Sequence, residues 1–210
     1  MEAYGPDCRE TAYTSFPVIR DRRVLLVVGR IDPVKNQDWL VQRMPEIRRY
    51  CPGALLVLAG STTDPAYERQ IRNHIEQLGL AGDVLLTGGL PPRAPSLIGL
   101  LQIAAVLVCP SLSETFGLVL LEAWSAGAPV IASNTSGARQ LIENGTNGYL
   151  FDLESPETFH DALRSTLGDP AFAARMAANG RGLVRNGFDN IAVTAKVKDL
   201  YLDLVERKRT

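Results

Sequence analysis

The side chains in this 210-residue chain that are best suited to chemistry follow two apolar runs. After the run at 24–28 come Gly29, Arg30, Ile31, Asp32, Pro33, Val34 and Lys35. A guanidinium can grip two anionic oxygens and an ammonium supplies a compact charge, so Arg30 and Lys35 beside a helix start suit phosphate. After the run ending at Cys109 come Pro110, Ser111, Leu112, Ser113, Glu114, Thr115, Phe116, Gly117 and Leu118, leading to Glu122. Glu114 and Glu122 bracket seven residues, the first in a loop and the second on a helix, so both can face one cavity. Between them the amides of 116–119 form a first helical turn, whose N–H groups lack intrahelical acceptors. An anion docked there meets those donors and the positive end of the helix dipole, and Gly117 permits close approach to the backbone.

A carboxylate close to a diphosphate is repelled by on the order of several kcal/mol at low dielectric. The conflict disappears if Glu114 and Glu122 accept hydrogen bonds from sugar and ribose hydroxyls while Arg30, Lys35 and the helix end hold phosphates. Each such charge-assisted bond is worth about 1.5–3 kcal/mol. Taken singly, these residues have plainer readings: Arg30 and Lys35 as solvated loop charges, Glu114 as an acid favoured by the helix dipole, Glu122 as an exposed or salt-bridged helix position. Their shared place at the strand ends favours a ligand. No G-x-G-x-x-G follows the first strand and no G-x-x-x-x-G-K-[ST] occurs, which argues against dinucleotide dehydrogenases and P-loop hydrolases.

The elements that must position these groups alternate. Apolar, β-branched runs predict strands at 24–28, 54–59, 84–87, 104–109, 129–133 and 149–151. A helix is predicted from Asn36, as N-cap, through Trp39, Leu40, Met44 and Ile47, with Pro45 as a kink. Further helices are predicted at 66–78, 96–102 and 117–126, and from 155 onward the chain reads as helical over 155–167, 170–185 and 190–206. This order predicts an α/β fold, a doubly wound, Rossmann-like parallel sheet of about six strands, with ligands at the carboxyl ends of the strands. Residues 1–210 read as one domain, with a leading segment at 1–23 and a final helix and tail at 189–210. The stripe Val193, Val197, Leu200 and Leu204 is expected to pack on the core, and Arg207-Lys208-Arg209 to be a solvated tail. His74 and His160 fall on crossover helices and are assigned no catalytic role.

Composition narrows the classes further. Lys plus Arg total 22 against 23 for Asp plus Glu, so no nucleic-acid partner is expected and any anion site must be local. The apolar stretch at 97–109 is broken by Gln102 and is shorter than the roughly 18 residues of a membrane span. Glu2, Asp7 and Glu10 argue against a secretory signal. Cys8, Cys51 and Cys109 are widely spaced with no Cys-x-x-Cys pair, so reduced thiols, a cytoplasmic location and no metal are expected.

With these landmarks the chain resembles the C-terminal, nucleotide-sugar-binding domain of the family-4 retaining glycosyltransferases (glycosyl transferases group 1), whose GT-B architecture joins two Rossmann-like domains. The matching residues are Gly29-Arg30 followed by Lys35, Pro110-Ser111, Glu114-x7-Glu122 with Phe116-Gly117, Ala126-Gly127 with Pro129-Val130, and Asn144-Gly145 leading to Asn147-Gly148. The resemblance implies a nucleotide diphosphate sugar as donor and transfer of a hexose-type sugar. Arg30 and Lys35 would neutralise the diphosphate, as a metal does in other transferases. Glu114 would bind sugar hydroxyls and Glu122 the ribose, with Gly29, Ser113 and the amides of Phe116, Gly117 and Leu118 along the phosphates and sugar. The loop carrying Gly88 and Leu90 would lie near the base. The leaving phosphate would help deprotonate the acceptor, so Glu114 need not be a nucleophile; the implied catalytic set is Glu114, Arg30 and Lys35.

Two departures bear on this. Relatives often show Gly-Gly followed three residues later by an acid, where this chain has Ser136, Gly137, Ala138, Arg139 and Gln140. The family's N-terminal acceptor domain also has no counterpart before residue 24, so that domain is expected as a partner and the isolated chain is expected to be inactive. The last GT-B helix crosses to the other domain, and peripheral membrane association of the full-length protein is a further expectation. A nucleotide-sugar epimerase of the same architecture and a non-catalytic nucleotide-binding or interaction module remain alternatives.

Overall fold

A computed structural model describes residues 4–188 and 190–207. The elements follow in the order α1 (Arg9–Ser15), β1 (Arg23–Val28), α2 (Gln37–Val41), α3 (Met44–Tyr50), β2 (Ala54–Ala59), α4 (Pro65–Gln77), β3 (Val84–Gly88) and α5 (Pro95–Ile103). Then come β4 (Val106–Cys109), α6 (Leu118–Ala126), β5 (Val130–Ser133), α7 (Ser136–Leu141), β6 (Tyr149–Phe151), α8 (Pro156–Gly168), α9 (Pro170–Gly187) and α10 (Asn190–Arg207).

The six strands form one parallel sheet in the order β3-β2-β1-β4-β5-β6. Its runs are apolar without alternation because both faces are covered. Val24, Leu26, Leu55, Val57 and Leu107 join the core on one face, and Leu25, Val27, Leu56, Leu58, Val106 and Val108 the core on the other. This is the period of two expected of a strand. Strand order reverses between β1 and β4, so the loops after these two strands flank a topological switch point. The sheet thereby places residues 29–36 and 110–117 on the same edge.

Several elements depart from the sequence expectations. The helix expected from Asn36 is two helices, broken at Gln42 and Arg43, with Pro45 in the first turn of α3, where its missing N–H costs nothing. Asn36 adopts φ 56° and makes no side-chain cap; Gln37 instead donates to the Arg30 carbonyl at 2.7 Å. The fourth strand starts at Val106 because Ala104 still closes α5 by donating to Leu100 O. The leading segment carries a helix, α1, that the sequence does not predict, and it packs on α5 so closely that a Cβ at Gly99 would lie 2.2 Å from Cys8 O. The α10 stripe is not core: Val193, Val197, Leu200 and Leu204 are 43–59% exposed. Among the described residues no helix is long and apolar enough to cross a membrane. Lys208 and Arg209 of the expected tail lie outside the described residues.

On the opposite face from α1, α2 and α4 are joined through a buried carboxylate. Asp38 accepts from Gln42 Nε2 (2.9 Å) and Gln70 Nε2 (2.8 Å), and lies 2.7 Å from His74 Nδ1. Its backbone N–H donates to Tyr67 Oη, whose phenol burial pushes up to about 12. His160 on α8 is buried with Nδ1 2.9 Å from Tyr50 Oη. Both histidines therefore join helices together, away from the switch point.

Candidate functional site

The loop after β1 is shaped by Asp32. Its carboxylate accepts from the Val34 N–H at 2.9 Å and from Thr63 Oγ1 at 3.1 Å, fixing a single 3₁₀ turn over Pro33–Lys35. The Val34 amide holds the Asp32 carboxyl below the usual carboxylate range against desolvation, helped by Thr63, Arg30 and Lys35. That turn folds the Lys35 stem back over Gly29, whose Cβ position lies 3.7 Å from the Lys35 side chain. Lys35 Nζ thereby reaches Glu114 Oε2 at 2.6 Å. The two loops are also tied through the backbone, Leu112 N donating to Val34 O at 2.8 Å.

Glu114 is held from three sides. Its Oε1 accepts from Gly117 N at 3.2 Å, the residue that enters α6 with φ 89°, and the Phe116 amide also donates to it. From behind, Gly137 N donates to Glu114 O at 2.8 Å and Ser136 Oγ donates at 3.3 Å. Gly137 is required for this approach, since a Cβ there would stand 2.7 Å from Glu114 O and Phe116 N. Burial pushes the Glu114 carboxyl up, but Lys35 and the two amides outweigh it and leave the group below its ordinary value. It is an anion at neutral pH.

The structure brings Gly29, Lys35, Glu114, Phe116 and Gly117 together at the switch point. Arg30 shares the loop but is exposed, its charge falling on Asp32. Ser113 and Leu118 are exposed on the same edge, and Phe116 packs edge-on against Phe188 with centroids 5.8 Å apart. Gly88 ends β3 with φ 72°, its carbonyl accepting from Gly60 N at 3.1 Å, and Leu90 leans on the core. One expectation needs correction: of the amides at 116–119, those of Phe116 and Gly117 are not free, because Glu114 takes them, and Lys35 is paired with that same glutamate. No side chain caps the N-terminus of α6 itself. Glu122 lies on α6, half-buried.

Sequence reasoning missed what Asp32 and the Ser136-Gly137 pair bond to. An Asp two residues before a backbone N–H in a turn carries a signal, as does a Ser-Gly pair after Thr135, which caps α7 by accepting from Ala138 N. Among the described residues no group of three or more His, Cys, Asp or Glu is placed to hold a metal ion.

A parallel sheet in this order, with helices on both faces and the basic and acidic loops at its reversal, is a Rossmann-like α/β domain of the kind found in GT-B glycosyltransferases. The chain belongs to the glycosyl transferases group 1 family, which matches residues 11–183. A D-inositol 3-phosphate glycosyltransferase from Xylanimonas cellulosilytica is 33% identical over 192 residues, covering 90% of this chain and 44% of that protein. Sucrose-phosphate synthase from Thermosynechococcus elongatus superposes with a TM-score of 0.80 at 29% identity, over 96% of this chain and 51% of its own. HepE from Anabaena, solved in complex with UDP-glucose, shares the fold with a TM-score of 0.83 at 22% identity, over 96% and 55%. The chain thus spans about half the length of the curated relatives it matches.

Proposed function

We propose that this chain is the donor-binding half of a retaining glycosyltransferase that moves a hexose-type sugar from a nucleoside diphosphate to an acceptor. The observation that carries the reading is the contact of Lys35 Nζ with Glu114 Oε2 beside the Gly117 amide, at the one place where strand order reverses. These groups can exchange partners. A diphosphate offers the ammonium of Lys35 and the guanidinium of Arg30 new anionic acceptors, while Glu114, released, accepts from sugar hydroxyls. Glu122 takes the ribose and the Gly88–Leu90 loop the base. The two cations stand where a metal would neutralise the leaving diphosphate, and no metal is needed.

Acceptor activation falls to the leaving phosphate on the same face of the sugar, which retains configuration without a protein nucleophile. The curated relatives are inositol phosphate glycosyltransferases, so a phosphorylated polyol is the first acceptor class to test, together with the half of the protein that would carry its site. Titration calorimetry with uridine, guanosine and adenosine diphosphates tests the donor site directly. One of them is expected to bind preferentially, unaffected by EDTA and about tenfold or more weaker after Arg30→Ala or Lys35→Ala, the loss of a charge-assisted contact. No binding by any of the three removes the reading.

A further inference from the structure

A cavity of about 500 Å³ lies against the last turn of α6, where Ala126 ends the helix. Arg181 and Arg185 line it from α9, and Asp7 and Arg9 line it from the leading segment. That segment is held in place by both ends of the Gln102 amide on α5: Oε1 accepts from Cys8 N at 2.8 Å, and Nε2 donates to Tyr4 O at 3.3 Å and to Pro6 O at 2.7 Å. Helix α6 starts beside Gly117 at the switch point, so at about 1.5 Å per residue its far end is about 12 Å away. None of Arg30, Lys35, Glu114 and Gly117 lines the cavity.

The charges around this space do not balance. Three guanidiniums line it against one carboxylate, and that carboxylate, Asp7, lies 3.8 Å from Arg9 Nε. Arg181 and Arg185 stand one helical turn apart on α9, a like-charged spacing that destabilises a helix. Among the described residues neither of the two is paired with a carboxylate. Arg181 is anchored: Nε donates to Trp124 O at 3.3 Å, and Nη2 reaches over Gly127, where a Cβ would lie 2.5 Å from it. A guanidinium carries five N–H donors, so this one bond leaves four for a ligand. We propose that the cavity binds a small organic phosphate, Arg181 and Arg185 gripping the phosphate group. Planar guanidinium forks match phosphate oxygens two at a time, and a dianion between the two arginines turns their repulsion into attraction. The volume falls within the range of about 300–1,000 Å³ of small-molecule sites, so there is room for what the phosphate is attached to. The site is separate from the donor reading above and does not depend on it.

Calorimetry on the 210-residue chain with glucose 6-phosphate, glucose and inorganic phosphate tests this. Glucose 6-phosphate is expected to bind and glucose to give no heat. Inorganic phosphate should bind about tenfold or more weakly than the sugar phosphate, since it leaves most of the cavity unfilled. Arg181→Gln and Arg185→Gln should each weaken glucose 6-phosphate by about tenfold, the loss of a charge-assisted contact. Lys35→Ala, beyond the other end of α6, should leave that affinity within about twofold, because the two sites share no partner. If Arg181→Gln fails to fold by circular dichroism, Arg185→Gln carries the test, since its side chain is exposed and holds no other element among the described residues. No binding of glucose 6-phosphate by the parent chain, an unchanged affinity in folded Arg185→Gln, or equal affinity for inorganic phosphate overturns the proposal. Binding lost in Lys35→Ala and kept in Arg185→Gln overturns it too, by assigning the anion to the switch point.

Discussion

Asp38 and Glu114 are both half or more withdrawn from solvent, and both are fully bonded, yet their partners differ in kind. Asp38 is gripped by the amide of Gln42, just past α2, and by an amide and an imidazole from α4, and both helices are packed in the core. Glu114 is gripped by an ammonium on a single 3₁₀ turn and by amides at a helix entrance. Releasing the first would strand a buried charge, which costs several kcal/mol in a real protein interior. Releasing the second needs only that another anion take Lys35 and that a hydroxyl take Glu114. A carboxylate whose donors belong to the scaffold holds the fold, and one whose donor is a long cationic side chain at the strand ends is free to trade.

Substitutions can break this comparison, and the largest effect should come from Asp38. Asp38→Ala removes a buried acceptor that Gln42, Gln70 and His74 share and should cost about 3 kcal/mol in urea denaturation. Nucleoside diphosphate affinity of the folded fraction should stay within about twofold; a selective loss of binding would put Asp38 in the site and end the contrast. Gly137→Ala drives a methyl into the Glu114 loop and should cost about 2 kcal/mol by the same measurement. Unlike Asp38→Ala it should also abolish diphosphate binding in calorimetry, since the displaced backbone carries Glu114 and the helix entrance.

Lys35→Ala should change folding stability by less than about 1 kcal/mol, because Glu114 keeps its two amides. Its binding defect should therefore exceed its stability defect, the reverse of Asp38→Ala. The smallest effect concerns acid. Glu114 has a folded pKa below its ordinary 4.5, so its contribution to stability is complete above about pH 4.5 and disappears as pH falls through the lower folded value. A denaturation series from pH 6 to pH 3 should show a shallower acid-side decline for Glu114→Gln than for the parent. An identical slope would mean that the Lys35 contact contributes nothing to the fold.

Much of this arrangement is legible in the residues. The runs VLLVV and ALLVLA announce strands covered on both faces, and the helix lengths between them leave a parallel sheet as the economical assembly. The Glu114-x7-Glu122 spacing announces a loop acid and a helix acid. What the chain does not announce is direction. Nothing in the order Pro33-Val34-Lys35 says that the ammonium turns back to Glu114, because that depends on Asp32 bending the loop and on β4 lying beside β1. The stripe on α10 shows the same limit, since a periodicity of apolar side chains identifies a face without saying what it meets. Helix α1 is hidden for another reason: its sequence RETAYTS buries Ala12, too little to write a pattern. Helix α7, at six residues, is too short for one.

Gln102 on α5 accepts from Cys8 N at 2.8 Å and donates to Pro6 O at 2.7 Å, a clamp with a consequence for the order in which the chain is secured. Cys8 leaves the ribosome 94 residues ahead of the amide that will hold it. At translation rates of about 5–20 residues per second, it must wait on the order of 5–20 s before its dock exists. During that interval residues 4–8 are unmoored while β1, β2 and β3 are already available to pair. These residues are therefore made before the strands and secured only after α5 has followed them.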